Sequence, residues 1–229
     1  MPPSFIKWGW GHQKGERRQQ DGPKSNHIEN KRKLTQNTNP REDSLLNILS
    51  RMSGIATRTN EYVRRAREGN PKIRVAATRK TTPLFRYFEK RAVVLGGGHP
   101  HRQGLYDQVL IKDNHLVVFG GVGRAVEVLK KKTSPMLKIE VEVTNPRDAL
   151  IAIHKGADII MLDNMSPNRA RKTIEKVEAA GLRKVVEIEV SGGVRLNNIK
   201  QYAKTGADVV SSSDLICGAK SLDFTLYLV

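Results

Sequence analysis

Residues 138–163 read KIEVEVTNPRDALIAIHKGADIIMLD. "KIEVEV" alternates branched aliphatics with charged residues, the period-2 pattern of a strand with one polar face. "PRDALIAIH" has helical spacing, with proline at its first position, and "ADIIMLD" is a short apolar run of the kind found in strands buried on both faces. Strand, helix and strand in succession make a βα unit and point to a parallel sheet, since parallel neighbours need a crossover.

The pattern repeats on both sides. Downstream, "ADIIMLD" leads into a helix expected over Pro167–Gly181, "KVVEIEV" into one over Arg195–Thr205, and "ADVVSSS" closes the series. Upstream come a strand at "KIRVAAT", a polar helix around "PLFRYFEKR" and a further strand at "AVVLGGG". The sheet is expected to be a barrel or an open wound sheet. The near-repeats "KGADIIMLD" and "TGADVVSSS" place Gly156 and Gly206 as caps between helix and strand, which argues for fold and carries no chemistry.

Before this core, "SLLNILSRMSGIATRTNEYVRRARE" sets Leu45, Ile48, Met52, Ile55 and Val63 on or near one helical face, with Ser44 as N-cap and a break near Gly54. Residues 1–41 are polar, show no period and are expected to be disordered.

The formal charge is +17 and the pI about 10.2, which favours an anionic partner. Aromatics are 5% of the chain and do not interleave with the basic residues, so the stacking platform of a nucleic-acid binder is missing. A lone cysteine, Cys217, excludes an internal disulfide and is expected as a small buried residue. Nothing resembles a secretory signal or a membrane span, and a cytoplasmic protein is expected.

Reactive groups of a parallel barrel gather at the carboxyl ends of its strands. "AATRKTTP" puts Arg79 and Lys80 there, "GGGHPHRQG" adds His101 and Arg102, and "LIKDNH" adds Lys112, Asp113 and His115. Such a cluster suits a small, multiply charged anion, because guanidinium forks match carboxylate and phosphate edges. Opposite stand Glu140 and Glu142 of "KIEVEV", and Asp163 at the end of an apolar strand, where an acid needs a hydroxyl, a metal or an arginine. "EIEVSGG" ends in Ser191, Gly192 and Gly193 just before a helix, a loop whose backbone N–H groups can converge on phosphate.

"SRMSGIAT", "ATRKTTP", "GGGHPHRQGLYDQVLIKDNH", "EVEV", "IIMLDNM" and "EVSGGV" occur in the order and spacing of the quinolinate phosphoribosyltransferases, which residues 44–229 resemble. The resemblance implies an open (β/α) barrel of the type II phosphoribosyltransferase kind. It implies transfer of phosphoribose from 5-phosphoribosyl 1-pyrophosphate to quinolinate, with release of pyrophosphate and CO₂ and formation of nicotinate mononucleotide in NAD biosynthesis. Mg²⁺ would accompany the pyrophosphate, held by Glu142 and Asp163. The chain would work as a homodimer or an assembly of dimers, with no nucleic-acid or membrane partner.

Carried over by motif, Thr78, Arg79, His101, Arg102 and Lys112 would hold quinolinate. Lys80, Glu142, Asp163, Ser191, Gly192, Gly193, Ser212 and Ser213 would bind phosphoribosyl pyrophosphate, with Lys112, Glu142 and Asp163 closest to the chemistry. A related transferase acting on nicotinate or another acid, and an inactive anion-binding remnant, are the competing readings.

Three features depart from the family. Its N-terminal sandwich domain has no counterpart in residues 1–43, and Asp43 stands where the family helix has an arginine that reaches the partner's quinolinate. A one-base frame shift across Arg41–Leu45 would restore Glu-Arg-Thr-Leu, so residues 1–43 are expected to be disordered or an out-of-frame reading. Ser213 replaces a usual glycine in the last phosphate loop, where its hydroxyl would stand in for backbone approach.

Overall fold

Residues 40–226 are described in a computed structural model of the chain. The expectations for residues 1–39 lie outside them. The described residues fall into two compact units, one of residues 40–54 with 220–226 and one of residues 55–219.

Helix α1 runs Pro40–Arg67, from the first unit into the second. It starts four residues before the expected cap, so Ser44 lies inside the helix. Proline opens it because a first helical residue needs no N–H partner. The helix also passes Gly54 without a break, and its fully buried face, including Ile55, Tyr62, Val63 and Ala66, lies from there onward. Within the first unit, Leu222 N–H donates to the Ser50 carbonyl at 3.1 Å.

The second unit is a wound sheet of six parallel strands: β1 (Arg74–Ala77), β2 (Val109–Ile111), β3 (Ile139–Val143), β4 (Ile159–Asp163), β5 (Glu187–Ser191) and β6 (Val209–Ser212). Their order is β1-β6-β5-β4-β3-β2, so the chain travels around the sheet in one direction, as in an open barrel. Between strands lie α2 (Arg86–Leu95), α3 (Asp113–Phe119), α4 (Val122–Lys132), α5 (Pro146–His154), α6 (Pro167–Ala179) and α7 (Ile199–Ala203), and α8 (Asp214–Cys217) comes after β6.

Helices α5 and α6 show why the local sequence folds this way. Asn145 and Ser166 cap them by accepting from Asp148 N–H (2.9 Å) and Arg169 N–H (3.4 Å), with Pro146 and Pro167 in the first turn. Their inner faces bury Ala149, Ala152, Ile153, Ala170, Ile174 and Val177. Each larger aliphatic among these contributes about 1.5–3 kcal/mol on leaving water. Gly156 and Gly206 both have φ of +92°, the left-handed step expected of them between helix and strand.

Two further expectations change. Ala92–Leu95 forms the last turn of α2 and not a strand. The β-branched pair Val93-Val94 favours a strand on propensity, but Glu89, Lys90, Ala92 and Val93 share a buried helical face, and packing overrides propensity. The segment after α2 makes only an isolated parallel bridge, Ala76 with His99. Cys217 is exposed. Helix α8 spends its buried face on Asp214, Leu215 and Ile216, which turns its fourth residue outward.

No described helix is long and apolar enough to cross a membrane.

Candidate active site

Strand register sets the site. Asp163 on β4 pairs with Ser191 on β5, Ala77 on β1 pairs with Ser212 on β6, and Lys112 comes directly after β2. All stand at the carboxyl edge, and there a cavity of about 450 Å³ opens.

The cationic wall holds Thr78, Arg79, Lys80, His101, Arg102 and Lys112. The acidic side holds Glu142 and Asp163, and the glycine-loop side holds Ser191, Gly192, Gly193, Ser212 and Ser213. Every residue that the family resemblance singles out for binding or chemistry therefore faces one cavity, while Asp113 and His115 do not line it. His115 Nδ1 instead accepts the Lys112 N–H at 3.1 Å and caps α3.

Charge within the cavity is unevenly matched. Arg79 Nε is buried with no hydrogen-bond partner. Burial, and then the charge of Arg79, pulls Arg102 below its ordinary range. Two guanidinium groups held this close, one with an idle buried donor, make a site for an anion that brings its own oxygens. Burial, together with the charges of Lys90 and Arg102, brings His101 down to about 4, so the imidazole is neutral near pH 7.

Lys112 Nζ lies 3.5 Å from Glu142 Oε2. Burial raises Glu142, Lys112 opposes this, and Asp163 adds to it. Asn164 donates from Nδ2 to Asp163 Oδ2 at 2.6 Å and from its backbone N–H to the Ser191 carbonyl at 2.9 Å, tying the ends of β4 and β5 together. Gly192 has φ of +87°, and a Cβ there would collide with the Asn164 side chain. Ser212 donates to the Val194 carbonyl at 2.8 Å, while Asn198 Nδ2 donates to the Gly193 carbonyl at 3.0 Å, which closes the glycine loop from outside.

Three further groups lie at or behind the cavity wall: Glu140, which the sequence places opposite the cationic cluster, and Glu189 and Lys90, which the sequence does not single out. Glu140 and Glu189 are buried, and an Oε2 of each lies 3.6 Å from His101 Nε2, too long for a hydrogen bond. Gln108 donates to Glu140 and Ser211 to Glu189, each at 2.6 Å. Burial and the repulsion of Glu189 push Glu140 up, and burial pushes Glu189 up, so the pair retains a proton where a lone carboxyl would have lost it. Period 2 signals Glu189, since it lies two residues before Ser191 on the same face of β5. The third group is Lys90 of α2, fully buried below the cationic wall.

Just after β6, Asp214 accepts from Arg58 Nη2 at 2.5 Å, from Arg195 Nη1 at 3.1 Å and from the Tyr62 hydroxyl. Burial raises this carboxyl, but these donors outweigh it and hold it below the usual range.

Residues 55–227 match the family model described as "Quinolinate phosphoribosyl transferase, C-terminal domain". The chain is 47% identical over 185 residues to a probable carboxylating nicotinate-nucleotide pyrophosphorylase of Methanothermobacter thermautotrophicus, covering 81% of this chain and 66% of that protein. It is 40% identical over 183 residues to the human carboxylating nicotinate-nucleotide pyrophosphorylase, covering 80% and 61%. The crystal structure of NadC from Streptococcus pyogenes superposes with a TM-score of 0.75 at 40% identity, over 82% of this chain and 65% of that one. The chain thus spans about two thirds of the length of the relatives it matches. With a matching domain model, identities of this size and a shared wound sheet, the chain belongs to the quinolinate phosphoribosyl transferase family.

Proposed function

We propose that this chain carries the barrel that transfers phosphoribose from 5-phosphoribosyl 1-pyrophosphate to quinolinate, releasing pyrophosphate and CO₂ and forming nicotinate mononucleotide. The observation that carries this reading is the cationic wall, with Arg79, His101 and Arg102 on one side of a cavity whose other sides are acids and a glycine loop. A dicarboxylate needs two sets of donors. Thr78, Arg79 and Arg102 supply charged and hydroxyl donors, neutral His101 supplies an N–H, and Lys112 supplies a movable charge.

In this scheme Ser191, Gly192, Gly193, Ser212 and Ser213 seat the 5-phosphate, and Lys80 meets the pyrophosphate. Glu142 and Asp163 face the ribose, where departure of pyrophosphate leaves positive charge on the sugar. The cationic wall orients the pyridine nitrogen for attack, and once that nitrogen is cationic the adjacent carboxylate is primed to leave as CO₂.

A divalent ion fits beside Glu142 and Asp163. Both offer oxygen donors and are partly open to the cavity, which suits Mg²⁺ with its retained waters. When bound, it would neutralise the departing pyrophosphate. His101, Glu140 and Glu189 also bring donor atoms within 4.8 Å of one another, but both carboxylates of that set are buried and its third member is an imidazole, which suits a transition metal better.

The deciding experiment incubates the purified chain with Mg²⁺, phosphoribosyl pyrophosphate and either quinolinate or nicotinate, and monitors product by chromatography. Mononucleotide from quinolinate with CO₂ release is the expected result, and turnover of nicotinate alone would overturn it. Sedimentation of the same sample tests the proposed dimer.

Gly192→Ala is expected to introduce strain of about 1–3 kcal/mol and to weaken binding of phosphoribosyl pyrophosphate while sparing quinolinate. A melting curve and paired titrations read the two effects.

A further inference from the structure

Lys90 is fully buried, yet its hydrogen-bond partners include no carboxylate. Its ammonium donates to three carbonyl oxygens: Thr78 at 2.7 Å, Pro100 at 2.5 Å and His101 at 3.0 Å. Thr78 leads directly into Arg79 and Lys80, and Pro100 and His101 lead into Arg102. One cation thus joins the two segments that form the cationic wall.

The backbone of His101 makes the same point independently. Its φ is +21°, a region that non-glycine residues occupy only when their surroundings hold them there. Lys90 binds the carbonyl before His101 and the carbonyl of His101 itself, and so grips the strained residue on both sides.

We propose that Lys90 is the positioning residue of the dicarboxylate subsite, its ammonium fixing the gap between the Arg79 and Arg102 segments and holding His101 in its strained conformation. The proposal rests on the reading of the cavity given above. It requires the charged form, because an ammonium has three N–H donors for three carbonyls and a neutral amine has two. The charged and titratable groups facing Lys90 are Arg86 on its own helix, Arg79 beyond β1, His101, Arg102 and Asp107 on the 99–108 segment, and Glu189 on β5. Burial, and then Arg86, lowers Lys90 to about 8, with Asp107 opposing and Arg102 and Arg79 adding to the fall. The three-carbonyl clamp is complete below that pH and loses a donor above it.

The experiment titrates quinolinate and, separately, phosphoribosyl pyrophosphate into the unmodified chain, Lys90→Met and Lys138→Met, from about pH 7 to about pH 9.5. Lys138 pairs with Glu187 on the surface at 2.9 Å and serves as control. Lys90→Met is expected to bind quinolinate roughly tenfold to a hundredfold more weakly at pH 7, with phosphoribosyl pyrophosphate changed by less than about twofold. The unmodified chain and the control are expected to lose quinolinate affinity through about pH 8, an inflection missing from Lys90→Met. Equal quinolinate affinity in Lys90→Met, or the same inflection in it, overturns the clamp. Should Lys90→Met fail to fold, a flat quinolinate profile in the unmodified chain overturns it as well. Failure of the unmodified chain to bind quinolinate at any pH would instead bring down the proposed function, and the clamp with it.

Discussion

Arg102→Ala is expected to lower kcat/KM for quinolinate by roughly a hundredfold to a thousandfold, the effect of removing a charged partner from a desolvated anion. Arg102 lines the cavity beside Arg79, and the two repel each other until an anion lies between them. Alanine removes the fork and leaves the bound carboxylate short of donors. Arg102→Lys should recover only part of the loss, since an ammonium keeps the charge but cannot present two parallel N–H groups. Steady-state kinetics with each substrate varied in turn make the check. The KM for quinolinate should rise far more than that for phosphoribosyl pyrophosphate. A rise confined to the latter would place Arg102 on the phosphate side and undo the assignment of the cationic wall.

The alternation of "KIEVEV" and the apolar runs at Ile159–Asp163 and Val209–Ser212 make the parallel sheet legible, because period and burial agree in them. With the strands placed, their carboxyl ends name the cavity, and Lys112, Glu142, Asp163 and Ser191 fall to it by position alone. Legibility ends where local preference and tertiary packing diverge. Val93 and Val94 look like a strand, and that likeness hides how far the helix of "PLFRYFEKR" runs and the buried face that Lys90 shares with Ala92 and Val93. A lysine within "FEKRA" reads as a solvated charge, and only the fold brings three carbonyls to it. Glu189 is hidden for the opposite reason. An alternating strand suggests a polar face turned to water, but here that face is the interior of the wound sheet, where His101 and Ser211 meet it.

Glu142→Gln is expected to reduce kcat by roughly a hundredfold to a thousandfold while shifting the KM for phosphoribosyl pyrophosphate far less, the mark of an interaction that strengthens only in the transition state. The substitution is nearly isosteric, so the penultimate position of β3 keeps its packing and only the negative charge is lost. That charge has two tasks. In the free chain it balances Lys112, whose Nζ lies 3.5 Å away, and in the proposed reaction it would face a ribose that becomes cationic as pyrophosphate departs. The second task would dominate kcat, because a fixed carboxylate needs no reorganisation when the charge appears. Raised by burial and by Asp163, Glu142 should lose its charge at a higher pH than a free glutamate, so kcat should fall on the acid side as it protonates. Glu142→Gln should lack that acid limb. Equal kcat in the two proteins, or an acid limb unchanged in the variant, would remove Glu142 from the chemistry and leave it as the partner of Lys112.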